Sequence, residues 1–474
     1  MIAAPSSGSG KTTIARGLMS LFFSKGMKVQ PFKCGPDYID TKFHELVCGR
    51  PSINLDTFMA SPQHVQGLFA HYGKDADVCV VEGMMGLFDG YDRDLGSSSE
   101  IARTLGLPVV LVVDAKRSAY SLAALLTGFV HFREDVHVCG VIFNRVGSER
   151  HERMLRQVCD DIGLECFGFL PNHRDLEQGS RYLGLDFSEM PEAHTLVRLL
   201  EEHVNWKRLL ELGAPTSIQQ SEESACRNAT GPKVQSQTSP EVVGAGLVPA
   251  RKPKAQSQTS PEAVGTAARK LVVARNEESF SFIYQETLDA FQNVVFFDPE
   301  TEVPSLEDSD LLYLPGGYPE KHLDALTKNV AAREAIRLFA ERGGWVFAEC
   351  GGMMYLCKSI LDDTGEYPMC GVLPYVITAR KEDRKLSLGY RRFTLDGTEY
   401  RGHEFHYTRF LGETPKSITQ VYNAKGEPVD TPVFRHKNVI ASYTHLYHIY
   451  ETDLYQDRRQ GNHQPERRNK GSQG

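Results

Sequence analysis

The chain lacks several features that would narrow its class at once. No apolar run approaches the roughly 20 residues needed to span a bilayer, and no basic-then-apolar leader opens it. The ten cysteines include no C-x-x-C pair, so neither a zinc ribbon nor a disulfide scaffold is indicated. An excess of basic charge is also missing. The net charge of −8 gives no attraction to nucleic acid or to an anionic membrane surface. A cytoplasmic chain with reduced thiols, binding neither nucleic acid nor membrane, is the expectation. Apolar content of 41% and charged content of 24% are ordinary for a globular protein. At 474 residues two domains of roughly 200 residues each are expected.

The stretch APSSGSGKTT, residues 4–13, leads into the apolar-periodic segment IARGLMSLFF. A Gly-rich turn before a helix leaves backbone N–H groups pointing outward, which cradle phosphate together with the helix dipole. Gly8, Ser9, Gly10, Lys11, Thr12 and Thr13 are therefore nucleotide-binding candidates, with Lys11 reaching the β/γ-phosphates and Thr12 placed for Mg²⁺. Pro5 stands at the first Gly position of the full motif. Only five residues precede or enter the turn, so the strand before it is very short or the start is trimmed.

Residues 27–40 read as a strand running into a polar loop. Lys33 at its end is a candidate phosphate or carboxylate partner, with Asp37 and Asp40 close behind. Open α/β sheets bind ligands at the carboxyl ends of their strands. The bland alternative is a solvated Gly-Pro-Asp turn. DVCVVEG, within 77–92, is a buried strand tipped by Glu82, the position from which a P-loop ATPase holds Mg²⁺ or its water. Further buried strands fall at 106–116, at 136–146, which ends in Asn144 (suited to an adenine edge), and at 165–171. Strands alternating with helices define a parallel, helix-flanked sheet. One amphipathic segment closes it near residue 213.

Residues 214–269 are rich in Ser, Gln, Thr and Pro, and QSQTSPEVVG recurs there as QSQTSPEAVG. Two copies make no solenoid, and a disordered linker is expected. Beyond it, 271–275 and 294–299 read as strands around a helix. The strand at 310–320 ends in Gly316-Gly317, whose N–H groups suit an oxyanion hole. In GGWVFAECGGMMYL a buried strand turns sharply into a helix at Cys350-Gly351, a nucleophile elbow with sulfur in place of oxygen. The helix N-terminus is expected to lower the thiol pKa. His445 in SYTHLYH is the preferred base, and His448, His403 and His406 are competitors. The polar tail 456–474 is expected to be disordered.

Taken together, SSGSGKTT, KCGPDYID, NLDTFM, VEGMMGLFDG, VIFNRV, YLPGGYPE, AECGGMMYL, LGYR, RGHEFHYTR and SYTHLYH resemble the cobyrinic acid a,c-diamide synthase family, glutamine-dependent amidases of corrin biosynthesis. The resemblance covers nearly everything except the linker and tail. It implies an α/β protein in which a P-loop parallel-sheet synthetase domain, similar to dethiobiotin synthetase (1–213), is joined through 214–269 to a class I-like glutamine amidotransferase domain (270–455). In that scheme Cys350 attacks glutamine, His445 activates it, and Gly316, Gly317 and Gly351 hold the oxyanion. Lys11, Thr12 and Glu82 match positions around ATP and Mg²⁺. Asp37, Tyr38 and Asp40 match a loop near the carboxylates of a cobyrinate-type tetrapyrrole, whose a and c acetates become amides.

The sequence departs from the family in reading His-Leu-Tyr-His, with Tyr447 where class I enzymes place a Glu two residues after the His. A Cys–His pair oriented by backbone is the resulting expectation. Alternatives are the same chemistry on hydrogenobyrinate or nickel sirohydrochlorin, a partition-type ATPase switch, and a remnant without glutaminase activity. The ATPase switch would carry a signature Lys where this chain has Ser6. A homodimer is left open.

Overall fold

The computed structural model describes residues 1–173, 192–213 and 270–447. The linker at 214–269, the tail at 456–474 and His448 lie outside the described residues.

The first half is built on strands β1 (Ile2–Ala3), β2 (Val29–Cys34), β3 (Ile53–Leu55), β4 (Val78–Glu82), β5 (Val109–Asp114), β6 (Val138–Val146) and β7 (Glu165–Pro171). They pair in the order β3-β2-β4-β1-β5-β6-β7, parallel throughout. Runs such as VVLVVD are buried nearly end to end, as strands covered on both faces must be. The two-residue β1 suffices because it is central, with Ile2 opposite both Glu82 and Val110. Helix α1 (Lys11–Ser24) follows it and buries Ile14, Leu18, Leu21 and Phe22 in a core that includes Leu196 and Leu200. Those two leucines lie on the closing segment. That segment forms two helices, Glu192–His203 and Trp206–Glu211. Asn205 breaks it: its N–H donates to Phe167 O at 2.7 Å and its side chain caps the second helix.

The second half contains β8 (Lys270–Ala274), β9 (Asn293–Phe297), β10 (Leu311–Leu314) and β11 (Val346–Glu349). An antiparallel-rich region follows, with β12 (Ser359–Leu361), β13 (Glu366–Pro368), β14 (Val376–Thr378), β15 (Ser387–Leu395), β16 (Thr398–His406), β17 (Arg409–Phe410), β18 (Val421–Asn423) and β19 (Pro428–Val429). The chain then returns through β20 (Val433–His436), β21 (Val439–Ser442) and β22 (His445–Leu446). The main sheet has the order β20-β21-β11-β10-β8-β9, parallel except at β20. Two smaller sheets have the orders β13-β12-β14-β17 and β19-β18-β15-β16-β22, and the second takes in β22, the strand that follows β21.

The halves share a core. Phe32, Tyr38, Phe58 and Met59 of the first pack with Phe282, Tyr284 and Tyr447 of the second. No helix among the described residues is long and apolar enough to cross a membrane.

Candidate functional site

The loop between β1 and α1 has the geometry that cradles an anion. Gly8 and Gly10 have φ of 82° and 91°, a left-handed conformation open to glycine at little cost. Gly10 caps α1 with no side chain over the first N–H groups, and Lys11 is buried as the first helical residue. Thr13 follows, half-buried, in the same turn. The loop is braced from behind. Ser9 Oγ donates to Ser6 O at 2.9 Å, and Arg145 Nη1 to Gly8 O at 3.1 Å. Asn144 Nδ2 donates to Ser9 O at 3.0 Å while its Oδ1 accepts from Arg145 N–H. The amide expected to meet an adenine edge thus holds the phosphate loop in shape.

Glu82, wholly buried at the tip of β4, is the centre of a charged cluster. Its Oε1 accepts from Thr12 Oγ1 at 2.6 Å and from Lys33 Nζ at 2.9 Å, and its Oε2 lies 2.8 Å from His44 Nε2. Lys33 also donates to Asp40 Oδ2 at 2.6 Å and to Gly83 O at 3.3 Å. Its N–H groups thus meet two carboxylates and a carbonyl, the carboxylate side of the two roles expected for Lys33. Burial would push the Glu82 carboxyl up, but Lys33, His44 and Lys11 hold it well below the usual range. A threonine hydroxyl beside an ionised carboxylate next to a phosphate loop suits Mg²⁺, which binds few protein oxygens and keeps its waters. The loop 37–40 divides its work. Asp37 Oδ1 accepts from the N–H groups of Ile39 and Asp40, Asp40 faces Lys33, and Tyr38 turns away to stack on Phe282 at 5.1 Å.

The elbow lies at the end of β11. Cys350 has φ 44° and ψ −107°, a strained conformation for a residue with a Cβ. Its N–H donates to Ser442 O at 2.8 Å, bringing the end of β21, and His445 just beyond, to the same place. Gly316, Gly317 and Gly351 converge there. A Cβ on Gly316 would sit 2.1 Å from His445 Cε1, and one on Gly351 would sit 3.1 Å from Gly317 N. His445 is buried, and among the described residues neither ring nitrogen has a hydrogen-bond partner. The backbone orientation expected for it is therefore not present. The other candidates are occupied: His403 Nδ1 lies 3.2 Å from Tyr284 OH, and His406 bonds Thr408 O and stacks on Tyr443.

The lowered thiol pKa expected from the helix is overturned. The helix Gly351–Leu356 spans six residues, and burial, with Glu320 adding to it, pushes the Cys350 thiol well up. Burial likewise drives His445 well below its ordinary value. Burial thus disfavours the charged form of both the thiol and the imidazole. Sequence reasoning missed three contributors. His44 gave no signal as a lone histidine in a helix. Asn54, whose Nδ2 donates to Gly35 O and Asp37 O, stood in the NLDTFM motif with no role of its own. Glu349 stood in a motif where only the cysteine was noticed. Its Oε1 accepts from Leu446 N–H at 2.8 Å and its Oε2 from Tyr313 OH at 2.8 Å.

This is the arrangement of a nucleotide-driven ligase that takes its nitrogen from the side chain of glutamine. Comparison with known proteins gives the same division. Residues 1–183 match the CobQ/CobB/MinD/ParA nucleotide binding domain, and residues 272–451 match the CobB/CobQ-like glutamine amidotransferase domain. Hydrogenobyrinate a,c-diamide synthase of Rhizobium meliloti (strain 1021) is 36% identical over 462 residues, covering 95% of this chain and 99% of that protein. Cobyrinate a,c-diamide synthase of Caldanaerobacter subterraneus subsp. tengcongensis is 33% identical over 471 residues, 94% of each. The chain belongs to the cobyrinate/hydrogenobyrinate a,c-diamide synthase family, glutamine-hydrolysing ligases.

Proposed function

We propose that this chain converts the a and c acetate carboxylates of cobyrinic acid to amides, using ATP, Mg²⁺ and glutamine. The observation that carries the reading is the full-length similarity to named a,c-diamide synthases, across both domains. Cys350 Sγ gives its proton to His445 and attacks the glutamine side-chain carbonyl, whose developing charge is held by the N–H groups around Gly317 and Gly351. The proton then passes to the departing nitrogen, which leaves as ammonia. Water releases glutamate from the thioester.

In the other half Lys11 and the loop N–H groups align ATP, and the substrate carboxylate attacks the γ-phosphorus to give an acyl phosphate and ADP. Mg²⁺, held by Thr12 with Glu82 behind it, would supply charge neutralisation at the phosphates. Ammonia displaces phosphate from the acyl carbon, and the cycle repeats at the second acetate. The phosphate-loop role of Thr13 and the proximity of Asp37, Tyr38 and Asp40 to the carboxylates belong to the same proposal, as do a cytoplasmic location and a homodimer.

Mass spectrometry of cobyrinic acid incubated with the protein, ATP, Mg²⁺ and glutamine tests it. Two successive acid-to-amide mass changes are expected. Turnover of hydrogenobyrinic acid alone would keep the chemistry and move the substrate. Cys350→Ala is expected to lose glutamine-dependent amidation and keep amidation from added ammonia, whereas Lys11→Ala loses both. Loss of both activities in folded Cys350→Ala would overturn the two-site scheme.

A further inference from the structure

An imidazole that serves as a base needs its second nitrogen held, or it presents the wrong tautomer. The position two residues after the histidine cannot do this here. Tyr447 OH donates to Asn54 O at 3.0 Å in the other half, and its ring lies edge-on to Tyr284. Glu404 is taken up by Arg391, Thr431, Ser387 and His406. Among the described residues, Glu349 is the acid that comes within 4.0 Å of the His445 ring nitrogens. It is buried, its Oε2 lies 3.9 Å from His445 Nδ1, and its Oε1 already clamps the N–H of Leu446, the residue after His445. Catalytic hydrogen bonds tighten as the reacting complex forms, so a 3.9 Å separation keeps the pair within reach of one.

We propose that Glu349 is the positioning residue for His445, accepting the Nδ1 proton so that Nε2 is the base for the Cys350 thiol. The strand that delivers the nucleophile thus also delivers the acid, from the adjacent residue. This rests on the amidotransferase reading of the site. When sulfur bonds to the amide carbon, its proton moves to Nε2, and Glu349 faces the resulting imidazolium. The proton leaves with the ammonia, so Glu349 neither gains nor loses one over the cycle.

Burial raises the Glu349 carboxyl to about 8, against the pull of Leu446 N–H and Tyr313 OH, so its ionised fraction grows as pH approaches and passes 8. The groups facing the pair are Tyr313 from β10, Cys350, His403, Glu404 and His406 from β16, and Tyr38 and Tyr284 at the seam.

The test is glutamate release from glutamine by the full chain, compared among wild type, Glu349→Gln and Glu349→Asp. Glu349→Gln is expected to lower kcat about 100-fold or more with KM little changed, and to abolish the rise in activity between about pH 7 and 9. Glu349→Asp should recover part of both. Ammonia-dependent amidation by the same preparations reports folding. An unchanged kcat and pH profile in Glu349→Gln overturns the proposal, as does an equal loss of ammonia-dependent amidation. A wild type that releases no glutamate overturns the amidotransferase reading, and this assignment with it.

Discussion

Lys33 shows what a single buried ammonium does in this molecule. It is 1% exposed, and an unpaired charge at that depth would cost several kcal/mol. Here it is surrounded by Asp40, Glu82 and, at 4.0 Å, Asp37. Burial opposes its charge, but Glu82, Asp40 and Asp37 outweigh that and raise its pKa. Replacing it by Met strands two buried carboxylates, and a loss of about 3–5 kcal/mol is expected. The pH dependence should change sign. In wild type the Glu82 carboxyl lies below its unfolded value, so its contribution persists at neutral pH and is lost only as pH falls below the ordinary carboxyl range. Without Lys33, burial dominates and raises that pKa, and the folded state then binds a proton the unfolded state does not. Measured against wild type at each pH, thermal melts of Lys33→Met should therefore rise between pH 8 and pH 5.

At the scale of elements, the elbow is a contact between backbones. A Cβ on Gly352 would lie 1.9 Å from Leu314 O, a carbonyl at the end of β10 that cannot rotate aside. Gly352→Ala is expected to lose stability at or beyond the upper end of the roughly 1–3 kcal/mol typical of overpacking. It should also lose glutamine hydrolysis, read by denaturant titration and glutamate release. The parallel strands were legible in the sequence because strands buried on both faces are near-continuous apolar runs, as in β5 and β6. The region from β12 to β19 was not, since most of its strands are two to four residues long, too short to show a period. One signal there went unread. Asp396-Gly397, with both φ positive, joins two nine-residue strands as a type I′ hairpin turn. Lys11 and Cys350 were legible because a phosphate loop and an elbow each need a dense local pattern. Glu349 and His44 were not, because their partners are distant in sequence.

At the scale of the whole molecule, the two halves meet through polar contacts as well as rings. Tyr390 OH donates to Asp56 Oδ2 at 2.6 Å, Arg401 Nη1 to Phe58 O at 3.0 Å, and Lys42 Nζ to Glu277 O at 3.0 Å. Tyr38 spans the seam, its ring 5.5 Å from that of His445, while its neighbours in sequence face the Lys33 cluster. Tyr447 reaches Asn54, which holds the backbone before Tyr38. Removing that hydroxyl leaves Asn54 O without its partner, at a cost of about 1–3 kcal/mol. Tyr447→Phe is therefore expected to keep hydrolysing glutamine while forming fewer amides per glutamate released, a ratio that drops below wild type when both products are counted.

The shared aromatic core bears on how the gene could be arranged. Since Phe32, Tyr38 and Phe58 are sealed by Phe282, Tyr284 and Tyr447, covalent continuity between the halves is not what keeps them together. Two open reading frames, one ending at residue 213 and one beginning at residue 270, should yield partners that co-purify and that complement each other in a cell lacking the intact chain.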